Sequence, residues 1–176
     1  MHDDSLRERL SQVLNEWDYD FSTFDVSDFV AWVESRRGRP ILVRPMSLPP
    51  NLFGAWIEGD KADHIFYEAE PPDVHTVHNI LHELSHILLG HRTVHISRDL
   101  SEHLHTGSEL DQSEAQPVLN GLFRSIRYPD EQEDEAETLS SLIQQRVFHE
   151  AGLAALTHVS RDAAMQQFVH DLGFNH

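Results

Sequence analysis

The sequence predicts an α+β fold in which a small twisted sheet packs on one amphipathic helix, with further helices around it. Three observations carry that prediction. Val77, Ile80, Leu81, Leu84, Ile87 and Leu88 recur at the three- and four-residue spacing of a single helix face. Two apolar and aromatic runs, 53–58 and 64–68, flank the turn Gly59-Asp60-Lys61-Ala62-Asp63, the pattern of a β-hairpin. Helical spacing returns at both ends of the chain, over 3–17 and 131–148.

In chain order, Leu6, Leu10, Val13, Leu14 and Trp17 mark the first helix, and Asp18-Tyr19-Asp20-Phe21-Ser22 ends it. Asp25 or Ser27 caps a second helix, which runs to Arg37. Gly38 stops it and Pro40 prevents its return. Ile41-Leu42-Val43-Arg44 is a short strand ahead of the hairpin. Pro71-Pro72-Asp73 closes the sheet region, with Asp73 as N-cap of a central helix from Val74 to Leu89 and Gly90 as its C-terminal residue. The acidic stretch 91–130 reads mostly as a solvated loop, with short helices at 97–107 and 117–127 as the alternative; a long segment of this kind can also line a cleft. Pro129-Asp130 opens the helix over 131–148, whose apolar face is Ala136, Leu139, Leu142, Ile143 and Val147. Gly152 separates it from a last helix over 162–172. The whole reads as one domain, 1–176, with a helical N-terminal part (1–39), a sheet and central core (40–148) and a C-terminal helical part (149–176).

Composition narrows the classes of function. A formal charge of −17 repels phosphate backbones, so no direct nucleic-acid partner is expected. The one dense basic stretch, Arg36-Arg37-Gly38-Arg39, reads as a solvated helix end. With no cysteine, any metal site must use His, Asp or Glu. The N-terminus lacks a basic start followed by an apolar run, and no apolar stretch is long enough to cross a bilayer. A cytoplasmic protein with no membrane partner is the expectation; the oligomeric state is left open.

The central helix carries His82-Glu83-Leu84-Ser85-His86. Residues four apart lie one turn above another on the same face, so two imidazoles placed this way can share one zinc ion. Glu83, next to the metal, can act as general base on a water there, which is the chemistry of metalloproteases. The fold expectation is then a zincin-like domain with zinc as cofactor. A third protein ligand is needed. His91 is one candidate, but the metzincin pattern places glycine three residues and the third ligand six residues after the second histidine. Here Gly90 and His91 stand four and five residues after it. The other candidate is Glu133, four residues before Glu137 on a later helix. Glu133 can bind the metal, Glu137 can orient a ligand imidazole, and the small Ala136 lets the two helices approach. Glu135 is the rival within this acidic run. His78, one turn before His82, suits the cleft wall.

His82-Glu83-x-x-His86 followed by Glu133-Asp134-Glu135-Ala136-Glu137, then Leu139 and Leu142-Ile143, resembles the ImmA/IrrE family of bacterial and phage metallopeptidases. The likeness covers roughly residues 40–147. It departs at Glu137, where the family usually has Asp or Asn, and at Gln144-Gln145, where Leu-Met-Pro is common. The resemblance implies a zinc endopeptidase with His82, His86 and Glu133 as ligands and Glu83 as catalytic base. Its substrate would be a protein, typically a helix-turn-helix repressor or antitoxin. The alternative is a zinc protein that sequesters such a regulator without cutting it. The expected substrate path is an extended strand along 64–68. The expected transition-state donor is one of Tyr128, Arg124, Arg146 and His149.

Overall fold

The computed structural model describes residues 2–68, 75–97 and 109–157. Among them it contains five α-helices and a four-stranded sheet, an α+β arrangement. Helix α1 spans His2–Asn15, α2 spans Val26–Arg37, and strands β1 (Ile41–Pro45), β2 (Gly54–Gly59) and β3 (Asp63–Tyr67) follow. Helix α3 spans His75–Leu88, β4 is the two-residue strand His95–Ile96, α4 spans Glu109–Ser125 and α5 spans Asp130–Thr157. No helix among the described residues is long and apolar enough to cross a membrane.

The sheet order is β1-β3-β2-β4. β2 and β3 form the anticipated antiparallel hairpin, while β1 joins β3 and β4 joins β2 in parallel. Side chains alternate across the sheet as strand geometry requires. Trp56 and Ile65 point into the main core with α1, α2, α3 and α5. Ala55, Ile57 and Phe66 point to a second, smaller core under α4.

That second core explains the chief departure from the sequence expectation. The stretch 109–125 is one helix, which takes in most of the short helix anticipated at 117–127 and extends it back through 109–116, where solvated loop was expected. Leu119 and Phe123, four apart, are both buried against the far face of the sheet, and Phe123 meets the Phe66 ring edge-on at 5.5 Å. The polar run Asp111-Gln112-Ser113-Glu114 hid a helix that buries Leu119 and Phe123 and packs Leu122 beside them. The other correction is at Gly152, where α5 runs on to Thr157 without a break. An exposed glycine inside a helix costs about 1 kcal/mol against alanine and does not by itself end it. The helix expected over 162–172, the short one over 97–107 and the Asp73 cap lie wholly or mostly outside the described residues.

The basic run after α2 is structural and not a solvated helix end. Gly38, at φ 73°, caps α2. On either side of this turn Arg37 and Arg39 converge on the fully buried Asp63, Arg37 Nε at 3.0 Å and Arg39 Nε at 3.7 Å. Both also reach Glu58, so the run ties α2 to the hairpin.

Six aromatic rings join the first two helices. Phe29, fully buried, lies within 6.3 Å of Trp17, Tyr19, Phe21, Phe24 and Trp32, measured between ring centroids. Phe29→Ala is expected to destabilise the fold by roughly 3–5 kcal/mol, read from the urea midpoint at unchanged m-value.

Candidate metal centre

Helix α3 lies between the sheet and α5. Ile80, Leu81, Leu84 and Ile87 are buried on its core side. α5 approaches through Ala136 and Ser140, both fully buried, and the small size of these residues lets carboxylates of α5 reach the histidines of α3. His82 Nε2 is 3.1 Å from His86 Nε2 and 3.2 Å from Glu133 Oε2, and His86 Nε2 is 3.8 Å from Glu133 Oε2.

These separations suit a tetrahedral ion. Ligand atoms about 2.05 Å from zinc stand roughly 3.3 Å apart in a tetrahedron. The three atoms lie within 4.8 Å of one another, and two neutral nitrogens with one carboxylate form a donor set that zinc accepts. A second group, His78, His82 and Glu137, also meets this distance criterion. It has another explanation, because its members hold His82 from behind. Glu137 Oε2 is 3.1 Å from His78 Nε2 and 3.5 Å from His82 Nδ1, and Gln144 reaches His78 Nδ1 at 3.1 Å.

The two rivals for third ligand are brought to each other. His91 Nε2 is 3.0 Å from Glu135 Oε2, and His91 Nδ1 is 2.8 Å from His86 Nδ1. His91 and Glu133 thus lie against opposite edges of the His86 ring.

Glu83 is almost wholly buried. Its carboxylate accepts a hydrogen bond from the Trp56 backbone N–H, while Oε2 has no partner. Burial is the main reason its pKa rises from 4.5 to about 7, with Glu133 adding to it. A buried, unpaired carboxylate oxygen beside a cluster of metal-type donors is an acceptor awaiting a proton. His86 is pushed the other way, to about 3, by burial and by His82 and His91, and so stays neutral, as a ligand must. Burial also disfavours charge on His82, but Glu133, Glu83 and Glu137 outweigh it and raise its pKa.

Gly54 is a site residue that the sequence reading passed over. A Cβ there would lie 2.8 Å from Glu83 Oε1 and 3.1 Å from Cγ, so the Glu83 side chain lies flat on bare backbone. A glycine opening a strand was the available signal, since it often marks a close approach. Gly54→Ala is expected to displace the Glu83 carboxylate. On the zinc-peptidase reading proposed below, the variant loses roughly tenfold or more in hydrolysis with zinc content unchanged by mass spectrometry.

The hairpin register corrects the expected substrate path. β3 is paired on both sides, by β1 and β2, and so offers no free edge at 64–68. β1 is an outer strand of the sheet, and β2 is open on the side away from β3 ahead of Glu58, where β4 joins it. Glu68 N–H donates to the Phe53 carbonyl, so backbone groups at 53, 55 and 57 face β3 and those at 54, 56 and 58 face away. Glu58 N–H is taken by Val94, and Trp56 is engaged by Glu83 and Thr93. Gly54 instead lines an open cleft of about 660 Å³, with Phe53, Asn79, His82, Glu83, Tyr128 and Glu133 among its other walls.

Of the four expected donors only Tyr128 is at the cleft. Its ring stacks on His86, centroids 3.7 Å apart, and its buried hydroxyl lies beside Thr93 without a well-formed hydrogen bond. Burial and the nearby Glu83 raise its pKa, so it keeps its proton. Arg146 is turned toward α1, where it meets Asn15 and Glu150, and Arg124 and His149 are exposed. In comparisons with protein-family models, curated proteins and solved structures, none matches the chain.

Proposed function

We propose that this chain is a zinc-dependent endopeptidase of the ImmA/IrrE type, acting on a protein substrate, with His82, His86 and Glu133 as ligands and Glu83 as general base. The observation that carries this reading is the pairing of the His82, His86 and Glu133 donor set with the buried Glu83 carboxylate, next to His82, whose Oε2 has no partner. When bound, zinc supplies a Lewis acid that acidifies water and polarises a carbonyl. The rest is done by the chain. Glu83 takes the proton of the attacking water at its carboxylate and returns it to the leaving amine. Tyr128 keeps its phenolic proton and offers it as a hydrogen bond to the charge that develops on the carbonyl oxygen. The peptide lies extended beside Gly54, whose backbone groups face the cleft.

The family resemblance points to a helix-turn-helix repressor or an antitoxin as substrate, and a net charge of −17 favours a partner with a basic surface. The test is incubation of zinc-loaded protein with such a repressor encoded beside it, with wild type and Glu83→Gln side by side. Cleavage by wild type alone is the expected result. Binding by both with cleavage by neither would replace the peptidase with a sequestering protein. Protein that neither retains nor takes up zinc would remove both readings.

A further inference from the structure

We infer that His91 and Glu135 are positioning residues for the metal ligand His86, forming a relay that fixes its ring and links it to α1. The inference rests on the zinc reading above and goes beyond it, because neither residue touches the ion's expected place.

The relay starts from how α3 ends. Gly90 N–H donates to Ile87 O and His91 N–H to His86 O, with Gly90 at φ 70°. These are the two bonds of a Schellman motif, in which the residue after the left-handed glycine folds back over the residue five before it. That contact is usually hydrophobic. Here it joins two imidazoles, with His86 Nδ1 and His91 Nδ1 2.8 Å apart and both residues buried.

Proton placement makes the chain directional. A metal on His86 Nε2 leaves the only proton of that neutral ring on Nδ1. His86 Nδ1 then donates to His91 Nδ1. This requires the His91 proton to sit on Nε2, which donates to Glu135 Oε2 at 3.0 Å. Arg9, from α1, donates to the other oxygen of the same carboxylate. Every donor meets one acceptor, each imidazole is neutral, and no buried ring nitrogen is left over. Such outer partners fix the orientation of a ligand imidazole and raise its basicity toward the metal.

The experiment is zinc affinity by chelator competition in wild type, His91→Ala, Glu135→Ala, Glu135→Gln and Glu133→Ala, with absorption spectra of the cobalt-substituted forms. His91→Ala and Glu135→Ala are expected to weaken zinc binding by roughly 10–100-fold and to shift the cobalt bands. Glu135→Gln should recover most of the loss, because its amide oxygen can accept the same proton. If His91→Ala does not fold, Glu135→Ala, at a partly exposed helix position, decides the matter. Wild-type affinity and an unmoved cobalt spectrum in both alanine variants would overturn the inference and leave the zinc reading standing. Complete loss of zinc in His91→Ala with none in Glu133→Ala would also overturn it, making His91 a ligand. A wild type that binds no zinc would remove the metal reading and the relay together.

Discussion

Glu83→Gln is expected to lower peptide hydrolysis by roughly 10²–10⁴-fold while leaving zinc content at the wild-type level. The amide keeps the shape of the side chain and its bond from Trp56 but cannot accept the water's proton. The same variant should stabilise the metal-free protein. Glu83 has its pKa raised from 4.5 to about 7 by burial. Between those values the folded protein holds a proton that the unfolded chain has released. Stability contributed by Glu83 is therefore present below about pH 4.5 and is lost as pH rises through about 7. Glutamine never ionises, so at pH 8 metal-free Glu83→Gln should exceed metal-free wild type by about 3 kcal/mol, and the two should converge near pH 4. With zinc bound, the cation favours the carboxylate and the gap should narrow. Thermal melts of both forms across this range test all three statements. Equal stabilities at pH 8 would mean that Glu83 is solvated and not buried.

Glu133→Gln is expected to cost more zinc affinity than any outer partner of the histidines, well beyond about 100-fold. It removes the only anionic donor of the proposed set, and two neutral imidazoles hold zinc poorly without a third ligand. The neighbouring substitution Glu135→Gln is the control, since that carboxylate faces His91 and Arg9. Calorimetric titration of the two proteins separates the two registers of the acidic run. A larger loss at Glu135 would shift the ligand by two positions and change which face of α5 meets α3.

Much of the architecture was legible because its elements are locally determined. The stripe of α3, the Asp25 cap, the stops at Gly38 and Gly90 and the hairpin about 59–63 each announce themselves within a dozen residues. The meeting of α3 with α5 was legible for a different reason. Acids four apart beside Ala136 match histidines four apart, so two helices can be paired by chemistry alone. The order of the strands was not legible. The parallel addition of β1 to β3 rests on contacts distant in sequence, among them those of Arg37 and Arg39 with Asp63. That order moved the open edge from 64–68 to Gly54. Within the site, His91 and Glu135 were visible only as competing ligands. Their contact with each other needs the fold-back at Gly90, which spacing counted along a straight helix cannot foresee.

The division of the donor set between α3 and α5 has a consequence for folding. Residues 86 and 133 are separated by roughly fifty positions of chain, and that segment includes β4 and α4. An ion held at both ends would act as a reversible cross-link, closing a loop whose entropy the unfolded chain would otherwise keep. Metal status would then set the cooperativity of the whole domain: released, it leaves two helices joined by packing and side-chain hydrogen bonds; held, it makes their separation and the loss of the ion a single event.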